Sequence, residues 1–182
     1  KYGLAKKILE SKRKNGYYKL NFVAIERGFA IFDHADSLSA IREAVLESGL
    51  DPKNFEPGKI LSVISREKGN MVGLETFLER IGSSARGGGG YFEESMGAVW
   101  EKYEAILKRE KALDFDDLLL KTALLLQKEE SVRKHYHNLW RYIHIDEYQD
   151  TNRAQYLIAK LLADAGKNIA VVGDADQCLL PN

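Results

Sequence analysis

Cysteine is almost missing from this sequence: Cys178 is the only one in 182 residues. No internal disulfide can form and no cysteine-rich zinc site can be built. That scarcity is compatible with a reducing compartment, and the cytoplasm is the expected location. Net charge is missing too, with 27 basic and 27 acidic side chains giving a formal +0. A generally basic nucleic-acid-binding surface is therefore not indicated, and any such surface must be local. Long apolar runs are absent: none approaches the roughly 20 residues of a membrane span. The first residues, Lys1-Tyr2-Gly3-Leu4-Ala5-Lys6-Lys7, hold no signal-peptide core, so no membrane partner is expected. An initiator Met is lacking as well, as expected of a piece of a longer chain. What is present is a hydrophobic fraction of 45%, enough to build the core of one or two domains.

Apolar periodicity places most of that core on helices. Residues 2–14 read as a basic helix ended by Asn15-Gly16, and 19–25 as a short extended segment. Lys1, Lys6, Lys7, Lys12, Arg13, Lys14 and Lys19 face only Glu10, which fits a solvated helix face or a phosphate-contacting patch. Asp36 or Ser37 is expected to cap a helix carrying Leu38, Ile41, Val45 and Leu46 on its apolar face. Gly49 closes that helix, and Asp51-Pro52 makes a turn. Further helices are expected at 57–68, 73–81, 91–110, 114–127 and 129–138. In the helix at 91–110, Met96, Val99, Trp100, Tyr103, Ile106 and Leu107 recur at helical spacing and read as core. Ser83 to Gly90 is glycine-rich and reads as a loop between helices, with an anion nest helped by Arg86 as the alternative.

After residue 140 the pattern changes. Residues 142–145 and 169–172 are short apolar runs separated by a helix that begins at Thr151. Strand, helix and strand within roughly thirty residues make a βαβ unit, whose strands run parallel. Neither run alternates polar with apolar, so both strands are expected to be buried. Asp146 and Asp174 follow the ends of the two strands, the edge where open α/β sheets bind ligands. An Asp there can hold Mg²⁺, directly or through water. Glu147, one residue on, suits a general base that activates water for attack on a phosphate. Gln149 and Gln177 are neutral groups able to orient water or a phosphate oxygen. An acidic residue after a strand also serves simply as the cap of the next helix, a role that Asp150 fits.

Four ordered segments resemble UvrD/Rep/PcrA-type superfamily 1 DNA helicases. Ile145-Asp146-Glu147-Tyr148-Gln149-Asp150-Thr151-Asn152 is similar to their Walker B segment, and Val171-Val172-Gly173-Asp174-Ala175-Asp176-Gln177 to the conserved segment that follows. Leu113-Asp114-Phe115-Asp116-Asp117-Leu118-Leu119 resembles the return from an inserted helical subdomain, and Gly28-Phe29-Ala30-Ile31-Phe32-Asp33 the lead-in to it. Lys1 to Leu9 resembles the helix just after the family's Thr-Phe-His element. The resemblance implies an α/β fold: a partial RecA-like parallel-sheet ATPase domain over 1–33 and 113–182, with an inserted all-α subdomain over 34–112. It further implies ATP and Mg²⁺ as cofactors, and single-stranded DNA and duplex junctions as partners, with 3′ to 5′ movement. Matched position by position, Asp146 would be the metal ligand and Glu147 the catalytic base. Gln149 and Asp174 would support the nucleotide, and Gln177 would act near the γ-phosphate, in both binding and catalysis.

The sequence also departs from that pattern. No Gly-x-x-x-x-Gly-Lys-Ser/Thr loop occurs in these residues, so no backbone cradle for a triphosphate is expected in this chain by itself. The family's second RecA-like domain has no counterpart in it either. Leu180 stands where the family usually has Tyr. Two other function classes remain open on the residues: a helicase-derived module that binds DNA or protein without turnover, and an unrelated Mg²⁺-dependent phosphatase or nuclease using Asp146, Glu147 and Asp174.

Overall fold

A computed structural model of the chain describes residues 28–84, 90–163 and 168–174. The expected N-terminal basic helix, the extended segment at 19–25, Arg86, Gln177 and Leu180 lie outside the described residues. After Gly28, whose φ of 81° suits glycine, the first strand β1 runs Ala30–Phe32. Helix α1 follows at His34–Glu47. Its cap is Asp33, not Asp36 or Ser37. The Asp33 carboxylate accepts the Asp36 N–H at 2.9 Å, and the Asp36 carboxylate accepts the Asp33 N–H at 3.1 Å. This reciprocal capping box moves the start upstream because Asp36 serves better as its third-position partner. Gly49, at φ 71°, lies just past the helix end, as expected.

Helices α2 (Pro57–Gly69), α3 (Leu74–Ser84) and α4 (Tyr91–Arg109) complete a helical block. Pro57 opens α2, where a missing N–H costs nothing. Ile41, Ala44, Val45, Ile60, Ile64, Phe77, Val99, Trp100, Tyr103 and Leu107 form its core. The aromatic stripe of α4 is thus core, with Trp100 and Tyr103 wholly enclosed. Leu46, assigned to the buried face of α1, is instead exposed, and Ala44 takes that place.

The chain then returns beside its point of departure. Strand β2 (Ala112–Asp114) pairs in parallel with β1, Ala30 opposite Ala112 and Phe32 opposite Asp114. Neither three-residue strand is signalled by periodicity, because two or three residues cannot establish a period. Helix α5 (Phe115–Lys128) starts from Asp114, whose carboxylate accepts the Asp117 N–H at 2.6 Å. Helix α6 (Glu130–Leu139), strand β3 (Ile143–Ile145), helix α7 (Arg153–Ala163) and strand β4 (Ile169–Val171) follow. Leu118, Leu119, Ala123, Leu126, Val132, Tyr136, Ala154, Ile158 and Leu162 form a second core, joined by Phe29 and Leu113.

Strands β3 and β4 are parallel, as expected, with Ile143 opposite Ile169 and Ile145 opposite Val171. They are not buried. All of β4 is exposed, and in β3 His144 is exposed while Ile143 and Ile145 are half-buried. Burial on both faces requires layers on both faces, and among the described residues β4 packs substantially only on β3. The two strand pairs also form two separate small sheets rather than one layer.

Where the helical block meets α5 lies a buried ionic cluster. Lys68 of α2 is 1% exposed. Its Nζ lies 2.8 Å from Asp114, 3.0 Å from Asp117 and 3.1 Å from Glu104. Lys121 reaches Asp117 at 2.8 Å, and the Tyr103 hydroxyl donates to Asp114 at 2.9 Å. Burial pulls the Lys68 ammonium down, but Asp114, Asp117 and Glu104 outweigh it and hold it well above its usual value. Burial, reinforced by Asp114, pushes the Tyr103 hydroxyl up. At its C-terminal end α2 also approaches α7: a Cβ on Gly69 would sit 3.1 Å from the Asn152 amide.

Candidate active site

The segment between β3 and α7 carries most of the residues singled out by the sequence. The strand ends at Ile145, and the next two residues are the exposed carboxylates Asp146 and Glu147. Glu147 sits in the left-handed region at φ 53° and ψ 48°. For a side chain with a Cβ this conformation costs about 1–3 kcal/mol, and it is typical of functional sites. Asp146 supports it, its Oδ1 accepting the Glu147 N–H at 3.0 Å. The chain then makes a 3₁₀ turn, Tyr148–Asp150, before entering α7. The cap of α7 is Asn152 rather than Asp150. The Asn152 Oδ1 accepts the Gln155 N–H at 2.9 Å, and the Gln155 side chain accepts the Asn152 N–H at 3.4 Å. Asp150 cannot take that role because its residue already belongs to the turn.

The end of β4 clamps this turn. The Val172 N–H donates to Ile145 O at 2.8 Å, and Val172 O accepts the Tyr148 N–H at 3.0 Å. Parallel pairing thus continues past both strands, and Asp146 and Asp174 emerge at one sheet edge. Gln149 spans the gap between the two loops. Its Nε2 donates to Glu147 Oε2, and its Oε1 accepts the Asp174 N–H at 3.1 Å. Gly173 makes room for it: a Cβ there would stand 2.7 Å from Gln149 Oε1. Of the residues singled out, the structure brings Asp146, Glu147, Gln149 and Asp174 together, while Gln177 lies outside the described residues.

Chemically, this edge presents hard oxygen donors to solvent. Mg²⁺ takes one or two carboxylates and keeps several waters, so Asp146 with Glu147 nearby fits a divalent cation. Among the described residues, no group of three or more His, Cys, Asp or Glu is arranged to hold a metal. Two neighbouring carboxylates are fewer donors than an all-protein cage supplies.

Three features were not foreseen. The close approach of Gly173 to Gln149 has no local sequence signal, since the two lie on different segments. The Asn152–Gln155 box was legible, an Asn followed three residues later by Gln, but Asp150 masked it. Of the ionic cluster, only the Asp117–Lys121 spacing of four residues shows in sequence, because Lys68 arrives from a distant helix.

Comparison with known proteins gives the family of the chain. The family model described as the UvrD/REP helicase N-terminal domain matches residues 3–180. The chain is 41% identical over 157 residues to the ATP-dependent DNA helicase PcrA of Bacillus subtilis, covering 86% of this chain and 20% of that protein. It is 38% identical over 157 residues to PcrA of Staphylococcus aureus, with the same 86% and 20% coverage. For PcrA of Staphylococcus epidermidis the identity is 37% over 157 residues, covering 86% and 21%. The chain thus spans about a fifth of the length of these relatives. Because the family match runs through both strand pairs and every helix between them, the chain belongs to the UvrD/REP helicase N-terminal domain family.

Proposed function

We propose that this chain forms part of an ATP-dependent DNA helicase and contributes the acidic half of its nucleotide-hydrolysis site. The observation that carries the reading is the Asp146–Glu147 pair at the end of β3, bridged by Gln149 to the Asp174 backbone beyond the parallel β4. Bound Mg²⁺–ATP supplies the scissile phosphoryl bond and a cation to offset its charge. Asp146 holds the cation through its carboxylate, directly or through water. Glu147 accepts a proton from the attacking water at its carboxylate oxygen, and the Gln149 amide holds that carboxylate. Gln149 and Asp174 support the nucleotide, and Gln177 acts near the γ-phosphate in binding and catalysis. Residues 34–112 act as an inserted helical subdomain, and 1–33 with 113–182 as parts of the RecA-like ATPase domain. DNA, single-stranded and at duplex junctions, is the partner, with 3′ to 5′ translocation. The family membership and the named activity of the PcrA relatives support these assignments.

The test is Glu147→Gln in the full-length protein. ATP binding, read by equilibrium titration, is expected to stay near wild type while hydrolysis falls by about 10²–10⁴-fold, the usual worth of a general base. Equal turnover by mutant and wild type removes the assigned role.

A further inference from the structure

Gln149 is held at both ends of its side-chain amide. One end donates to the Glu147 carboxylate, and the other accepts the Asp174 N–H at 3.1 Å. A glutamine used only to touch a nucleotide would leave at least one of these ends for it. Three further observations make the arrangement a built one. Gln149 is half-buried, while Asp146, Glu147 and Asp174 around it are exposed. Glu147 sits in a left-handed conformation that, without support, is disfavoured for any residue with a side chain. Gly173 lies so close that any side chain there would displace the amide, its Cβ falling 2.7 Å from Gln149 Oε1 and no closer than 3.4 Å to Tyr148.

We infer that Gln149 is a positioning residue: it fixes the Glu147 carboxylate and ties that carboxylate to the β4 loop, with Gly173 as the space that allows it. The inference rests on Glu147 being the base. A base must lie within hydrogen-bond reach of the water it activates, and an unsupported glutamate side chain samples several rotamers. The Gln149 Nε2–H selects one of them. The Oε1 contact makes that selection depend on where the backbone of Asp174 stands. Any shift of the Asp174 backbone then reorients the base. Positioning a base acts on the hydrolytic step, so this contribution is read in kcat, and any direct contact of Gln149 with the nucleotide is read separately in affinity.

The experiment uses four variants of the full-length protein: Gln149→Ala, Gln149→Glu, Gly173→Ala and the double variant Gln149→Ala/Gly173→Ala. Gln149→Ala is expected to lower single-turnover hydrolysis at saturating ATP by about 10–100-fold, the range for losing a group that orients a reacting one, whatever its effect on KM. Gln149→Glu keeps an oxygen for the Asp174 N–H but loses the donor to Glu147. It should fold normally and lose as much activity as the alanine variant. Gly173→Ala should lower both the rate and the thermal midpoint when Gln149 is present. In the Gln149→Ala background it should change neither, because the atom it would strike is gone. That non-additivity in melting temperature reads the contact independently of turnover. Additive effects of the two substitutions on both readouts overturn the inference. So does wild-type hydrolysis by Gln149→Ala alongside an inactive Glu147→Gln. An active Glu147→Gln overturns the assigned role of Glu147 instead, and the melting cycle still decides whether Gln149 and Gly173 are coupled.

Discussion

Asp117 shows how a single carboxylate can remain charged in a core. Burial by itself pushes its carboxyl up, but Lys121 and Lys68, both within 3.0 Å of Oδ1, outweigh burial and hold it at about 2. A carboxyl whose folded value lies below its unfolded one stabilises the native state at any pH above the unfolded value. That contribution disappears as pH falls through the folded value. The window here runs from about pH 4, the ordinary aspartate value, down to about pH 2. Asp116 next to it works in the opposite sense, since burial raises its carboxyl, so its protonation favours the fold in acid. Thermal melting followed from pH 6 to pH 2 should therefore show a steep loss of stability in that window, and Asp117→Asn should flatten it. An unchanged acid slope in the asparagine variant would show that Asp117 does not set it.

At the scale of elements, Lys68 joins four of them: α2 carries it, α4 supplies Glu104, β2 ends in Asp114, and α5 holds Asp117 in its first turn. Removing one member of a buried ion cluster leaves the other charges enclosed without compensation, at a cost of about 3–5 kcal/mol. Lys68→Met should lower the urea midpoint by that equivalent at unchanged m-value. A loss under about 1 kcal/mol, as for an exposed pair, would mean that water reaches the cluster. The reach of Lys68 was not visible in the sequence, where it is one of 27 basic side chains. The helices were legible, because α1 to α7 each repeat apolar residues over several turns, and their observed bounds differ from those expected by a few residues at most. The parallel direction of β3 and β4 and the shared edge of Asp146 and Asp174 followed from the βαβ pattern. What failed depends on tertiary context. The exposure of β4 depends on which layers cover it, and the start of α1 on a reciprocal pair of aspartates. The contacts of Gln149 and Gly173 join segments about twenty-five residues apart.

For the molecule as a whole, the candidate site consists of acid and amide groups with no phosphate-cradling loop in the 182 residues. Asp146 and Glu147 can hold a cation and accept a proton, but they cannot by themselves bind a triphosphate of the same charge sign. The 182-residue chain alone is therefore expected to release no phosphate from Mg²⁺–ATP above background, with or without single-stranded DNA. Turnover of about 1 s⁻¹ or more, ordinary for an enzyme, would contradict this division of labour.

The β1–β2 pair has a consequence for how the chain reaches this structure. Its register sets Ala30 opposite Ala112, so the whole helical block is the crossover connection of one parallel pair. Closing so long a loop has an entropic cost that three residues of ladder cannot offset. The helices α1 to α4 depend mainly on contacts among themselves, and they can condense before the strands meet. Once condensed, they act as a splint that presents the two ends at strand spacing, about 4.8 Å apart. Pairing of β1 with β2 is then expected late in folding, and amide exchange in this pair should be faster than in α1 or α4.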